Sequence, residues 1–122
     1  MARIEEDKER EERIVMEIVV DAYDEVERAM GWYYYLEDKM RFPFNAKCIK
    51  ERRLSPLKRG EIIEVLGMAP EEDCEKEMFT EIRWKGRILA VPLSQLEGIG
   101  VDEETREAIN DWHYWTGRDY EF

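Results

Sequence analysis

The chain has 122 residues, 43% hydrophobic and 40% charged, and its 30 acidic side chains outnumber 19 basic ones for a formal net charge of −11. That length suits one domain with a modest core, and the Trp, Tyr and aliphatic content argues for a folded body with a charged surface rather than disorder. The acidic balance opposes phosphate neutralisation, which sets nucleic-acid binding aside, and no apolar run is long enough to span a bilayer.

Residues 1–12 are almost wholly charged and read as a frayed or solvated start to a single domain covering 1–122, with Glu9 and Arg13 spaced for a weak pair. This charged start does not resemble a secretion signal, so a cytoplasmic location is expected. From Arg13 the text RIVMEIVVDAY fits a helical face through Ile14, Ile18 and Ala22, predicting a helix to about Tyr23. A second helix is predicted from Asp24, a good N-cap, to about Met40, where Pro43 disfavours helical geometry at Phe42. Its apolar stripe is Val26, Met30, Tyr33 and Leu36–Met40.

Beyond Pro43 the pattern changes to alternation. Strands are predicted at Ala46–Arg52, Glu61–Met68, Met78–Lys85 and Arg87–Val91, with a short fifth near Ile99. Turns fall at Ser55–Gly60, Ala69–Lys76, Gly86 and Leu93–Leu96. A closing helix starts at the N-cap Asp102 and stops at Gly117. The fold expected is α+β: a small SH3-like antiparallel β-barrel with an N-terminal helical pair and a C-terminal helix. That analogy carries no function.

Two acidic sites stand out. Glu37 and Asp38 fall in the last turn of the second helix, where unpartnered carbonyls and the macrodipole are already negative. Acids there are disfavoured by roughly 0.3–1 kcal/mol each, and a hard cation among them would reverse the sign. Calcium, which takes six to eight oxygens from carboxylates and carbonyls, is the natural occupant. The other reading is a solvated helix end neutralised by Lys39 and Arg41.

The second site is the loop Glu71–Glu77, with Glu72, Asp73 and Glu77 among its acids. Crowded carboxylates raise one another's pKa, and a divalent ion relieves them. A solvated loop kept soluble by its charge remains the alternative. No stretch has the EF-hand spacing, so any calcium site must be assembled from separate segments. Cys48 and Cys74 are too few for a disulfide framework and match no zinc motif, which predicts reduced structural thiols. Cys74 among acids is expected to have a raised pKa, against nucleophilic use. His113, the only histidine, is expected to be packed or at the surface. No catalytic residue is predicted, and the chain is not expected to be an enzyme.

The text GWYYYLEDKMRFPFNAKC, then SPLKRGEIIEVLGMAPEEDCEKEMF, LAVPLSQLEGI and AINDWHYWTGRDYEF resembles the cyanobacterial calcium-binding protein family of the CcbP type, from about Arg13 to the C-terminus. The resemblance implies a small acidic cytoplasmic protein that binds Ca2+ without an EF-hand and buffers or senses it. Within YLED it implies Asp38 as the principal ligand, with Glu37 beside it, and the loop acids match the family's EEDCE pattern. Asn45 and Asn110-Asp111 depart from the family's text. The expected metal set is therefore Asp38, Glu37, Glu72, Asp73 and Glu77 in a monomer with no membrane or nucleic-acid partner. The competing class is a protein-interaction module whose aromatic groove, around Trp32, Tyr34 and Trp84, receives a basic segment.

Overall fold

The structure, a computed structural model, describes residues 6–20 and 22–118. Helix α1 spans Lys8–Glu17 and α2 spans Glu25–Lys39; strands β1 (Phe44–Cys48), β2 (Ile62–Met68), β3 (Phe79–Trp84), β4 (Arg87–Pro92) and β5 (Leu96–Ile99) follow, and α3 (Glu103–Gly117) closes the chain. Single 3-10 turns occupy Glu71–Cys74 and Leu93–Gln95. The fold is α+β, as expected. The five strands form one antiparallel sheet in the order β4-β3-β2-β1-β5. The expected barrel does not close by hydrogen bonding, because β4 and β5 stand at opposite edges.

Each helix begins at an aspartate whose carboxylate accepts a backbone N–H three residues on: Asp7 from Arg10, Asp24 from Glu27 and Asp102 from Thr105. Such caps contribute about 1 kcal/mol each. Helix α1 starts earlier and stops six residues sooner than the expected end at Tyr23. The β-branched run Ile18-Val19-Val20 resists helix, and α2 passes so closely that a Cβ on Gly31 would lie 2.3 Å from the Ile18 carbonyl oxygen. Residues 1–5, part of the charged start, lie outside the described residues.

On α2 the buried stripe is Ala29, Trp32, Tyr33, Leu36 and the cap residue Met40, whereas Val26, expected inside, is exposed. Trp32 is fully buried and meets Trp112 and Trp115 of α3 at centroid distances of 5.0 and 5.7 Å. Helix α1 is tied to α3 by charge. The Asp111 carboxylate, fully buried, accepts two hydrogen bonds from the Arg13 guanidinium at 2.9 and 2.6 Å and one from the Tyr35 hydroxyl at 2.6 Å. Arg10 adds an ion pair at 3.4 Å. Arg13 thus turns to Asp111 rather than to the expected Glu9, and the aspartate raises its pKa further, chiefly through the hydrogen bonds.

The sheet's inner face carries Phe44, Ala46 and Cys48 of β1, Ile63, Val65 and Met68 of β2, Thr80 and Ile82 of β3, and Val91 of β4. A bulge between Val65 and Gly67 shifts the register, so that the inward position moves from odd to even numbers and Met68 returns to the core. Lys85 and Gly86, at φ 50° and 78°, form the two-residue hairpin between β3 and β4. Positive φ at both centres matches the twist of the flanking strands. Lys85, expected as strand, is therefore turn.

Candidate metal-binding site

The last turn of α2 and the acidic β2–β3 loop come together, joined by two adjacent tyrosines. The Tyr33 hydroxyl donates to the Ala69 carbonyl at 2.7 Å, and the Tyr34 hydroxyl donates to Glu71 Oε1 at 2.8 Å. Glu37 lies one helical turn beyond both tyrosines, on the face that meets the loop, and Asp38 lies one turn beyond Tyr34. Glu37 and Asp38 are both exposed, as are Glu71, Glu72 and Asp73 on the 3-10 turn. Among the described residues no hydrogen bond or ion pair reaches Asp38.

The field of these acids is registered by the phenols. Tyr33 is pushed up to about 12, first by burial and then by the negative charges of Glu37, Cys74, Glu71 and Glu72. Tyr34 is raised too, chiefly by its hydrogen bond to Glu71. Both hydroxyls therefore keep their protons at neutral pH and hold the loop as donors. Of the two cations expected to neutralise the helix end, Arg41 is turned away. Its guanidinium pairs with Asp102 at 3.0 Å and its N–H donates to Thr105. Lys39 alone remains at that end.

Glu77 is placed differently. It receives two hydrogen bonds from Arg52, at 2.8 and 3.0 Å, and a third from Ser94 at 3.2 Å. It anchors the far end of the acidic loop to the β1–β2 and β4–β5 connections. Cys74 is buried and free, accepts the Phe79 N–H and donates to the Phe79 carbonyl. Its raised pKa comes mainly from burial, with Asp73 a minor contributor, so the expected direction holds but the expected cause is secondary. Among the described residues no three His, Cys, Asp or Glu side chains stand close enough together to enclose a metal ion. Glu71, Tyr33 and Tyr34 were not in the expected set. Glu71 opens the acidic loop already singled out in the sequence, and the hint of the tyrosines is that both precede Glu37 by one helical turn.

The rival aromatic groove is not formed. Trp32 lies fully buried against α3, and Trp84 sits at the end of β3, donating to Glu61. His113 is packed: its Nε2 donates to the Leu96 carbonyl at 2.6 Å, and burial lowers its pKa. No described helix is long and apolar enough to cross a membrane.

An acidic α+β domain that presents oxygen donors from a helix end and a neighbouring loop, without an EF-hand, defines the class. The chain belongs to the CcbP family, whose model, described as calcium binding, matches residues 12–116. Two solved structures are similar over 100% of both chains with a TM-score of 0.87: "The crystal structure of Anabaena CcbP", at 49% identity, and "Calcium binding protein in the calcium-binding form", at 48%. No curated protein matches the chain.

Proposed function

We propose that the chain binds Ca2+ between the end of α2 and the β2–β3 loop, with Asp38 as principal ligand, Glu37 beside it, and Glu72 and Asp73, joined by Glu71, from the loop. The observation that carries this is the pair of hydrogen bonds, Tyr33 to the Ala69 carbonyl and Tyr34 to Glu71, that set the acidic loop against the helix face carrying Glu37. Hard carboxylate oxygens in that number suit calcium better than magnesium, which demands tight octahedral geometry and keeps its waters. Unscreened acids repel one another and stand apart; a divalent cation draws them together. Glu77 supports the site from outside by fixing the loop, since ligation would cost it Arg52 and Ser94.

The chain acts by binding, not catalysis, as a cytoplasmic calcium buffer or sensor. The meander from β1 to β4, the return of β5 beside β1, and the 3-10 turn before β5 support reading the sheet as an SH3-like barrel left open between its edge strands. Calorimetric titration with Ca2+ tests the site. Wild type should bind saturably, Asp38→Asn and a Glu37→Gln/Glu72→Gln pair should each weaken binding by about tenfold or more, and Glu77→Gln, which loosens a loop anchor without removing a ligand, should weaken it by less than either. Unaltered affinity in Asp38→Asn would move the site elsewhere.

A further inference from the structure

β4 pairs with β3 on one side only, because it is terminal in the order β4-β3-β2-β1-β5. The register Trp84↔Arg87, with the Leu93 N–H donating to the Met78 carbonyl, sets the alternation of the β3–β4 ladder. By it, the N–H and C=O groups of Ile88 and Ala90 point away from β3. Among the described residues no hydrogen bond takes them up. Exposed edges are usually blunted by charge, proline, a bulge or brevity. At the other edge β5 has four residues, Glu97 and Gly98 among them. β4 has six, RILAVP, with Arg87 and Pro92 only at its ends.

The outer face beside this edge is apolar and uneven. Ile88 is 58% exposed, and Ala90 is exposed on the same face, opposite to the one that buries Val91. Ala90 also forms the floor, with Phe79 and Pro92, of a cavity of about 300 Å³ whose wall is the loop Arg52–Ser55. At its rim Leu54 is 98% exposed. Ile88, two residues back, is not part of the lining. An aliphatic knob and an aliphatic-rimmed hollow therefore sit side by side on one strand. Charges stay one strand behind them: Arg83, opposite Ile88, pairs with Glu64 at 3.3 Å, and Glu81 lies opposite Ala90.

We propose that β4 pairs antiparallel with β4 of a second copy of this chain, giving a two-fold dimer in place of the monomer expected. The register follows from the ends of the strand. Gly86 is held in the hairpin at φ 78°, and Pro92 has no N–H, so the usable ladder is 87–91 and the two-fold axis passes at Leu89. Ile88 then faces the partner's Ala90, and Ala90 faces the partner's Ile88. Every outward N–H and C=O of these residues finds a partner across the seam. The alternation also sets the partner's Ile88 beside Ala90 on the outer face, where it enters the hollow against Leu54. Symmetry fills the second hollow in the same way. Charge agrees with this register. Each row across the seam runs Arg83, Ile88, the partner's Ala90, the partner's Glu81, so a basic end always answers an acidic one. The interface stands apart from the calcium site.

Sedimentation velocity of the full chain in chelator, over about 1 μM to 1 mM, tests this. Wild type should pass from monomer to dimer as concentration rises. Ala90→Pro removes an outward N–H and no bond to β3, a change that an edge strand tolerates. Ile88→Lys removes the knob. Each should weaken self-association by about tenfold or more. Dilute Ile88→Lys should keep the wild-type melting temperature, because the side chain is exposed in the single chain. Amide exchange at Ile88 and Ala90 should slow as the dimer forms, although neither group faces β3. Each copy carries a net charge of −11, so salt should tighten the dimer by screening that repulsion. Four results would overturn the proposal: a monomer at every concentration, self-association unaltered by Ile88→Lys or by a folded Ala90→Pro, exchange at Ile88 and Ala90 unaltered in the dimer, or a dimer that salt loosens.

Discussion

The Tyr33 hydroxyl donates 2.7 Å to the Ala69 carbonyl, 36 residues along the chain, and this bond brings the acidic loop to the end of α2. Removing it leaves a buried carbonyl without a partner, at a cost of about 1–3 kcal/mol. Tyr33→Phe should therefore lower the urea midpoint and weaken calcium binding several-fold, although every carboxylate is retained. Calorimetry on the variant checks both effects. Unaltered affinity would mean that the loop acids contribute nothing to the site.

Calcium should stabilise the fold by mass action. At about a hundred times its dissociation constant the gain is about 2.7 kcal/mol, or roughly 10 °C in melting temperature for a chain of this size. Magnesium at the same concentration should give a much smaller rise. Differential scanning calorimetry with each ion, after chelation, measures the contrast.

Gly31→Ala should reverse the usual sign of that substitution. In an exposed helix interior, alanine gains about 1 kcal/mol over glycine. Here the new Cβ would sit 2.3 Å from the Ile18 carbonyl oxygen, a backbone atom that cannot rotate away. The variant should lose about 1–3 kcal/mol instead. Equilibrium denaturation reads the sign directly.

Asp111→Asn should loosen α1 from the body. The carboxylate satisfies Arg13, Arg10 and Tyr35 together from a fully buried position. Losing the charge removes the buried partner, but Arg13 keeps Glu17 and Glu107 at 3.7 and 3.9 Å and Arg10 keeps Asp7 at 3.7 Å. Both are partly solvated, so the expected cost is about 2–4 kcal/mol, toward the low side of buried pairs. Hydrogen exchange should report faster opening of α1 amides than of sheet amides.

His113 predicts an acid-side loss of stability. Burial depresses its pKa in the folded state, so the unfolded chain binds the proton more readily. Its contribution is present above the unfolded value of about 6.5 and falls away as pH drops below that value toward the folded pKa. In chelator, wild type should lose stability below about pH 6.5 more steeply than His113→Gln. Urea titrations across that range give the two slopes.

Much of the frame was legible locally. The aspartate caps Asp24 and Asp102, the breaks at Pro43 and Gly86, the alternation of β3 and the stop at Gly117 depend on side chains acting within a few residues of themselves, whereas the cap at Asp7 went unread. The family text also marked Glu37, Asp38 and the loop acids. The end of α1 was misread because the helical periodicity of residues 14–22 continues past the point where α2 crosses. The inward side of β2 past Val65 depends on a bulge that alternation cannot register.

What the sequence determined by itself was the kind of elements, their order, and a surplus of carboxylates at a helix end and in one loop. Those properties come from propensity, capping and charge along a short span of chain. Tertiary structure alone decided the partners. It gave Arg13 to Asp111, Arg41 to Asp102 and Arg52 to Glu77, sent Trp32 into the core, and set the acidic loop against α2 through Tyr33 and Tyr34. The physical reason is that a charge or hydroxyl binds whichever group the packed backbone brings within about 3 Å, and that distance is not written in sequence separation.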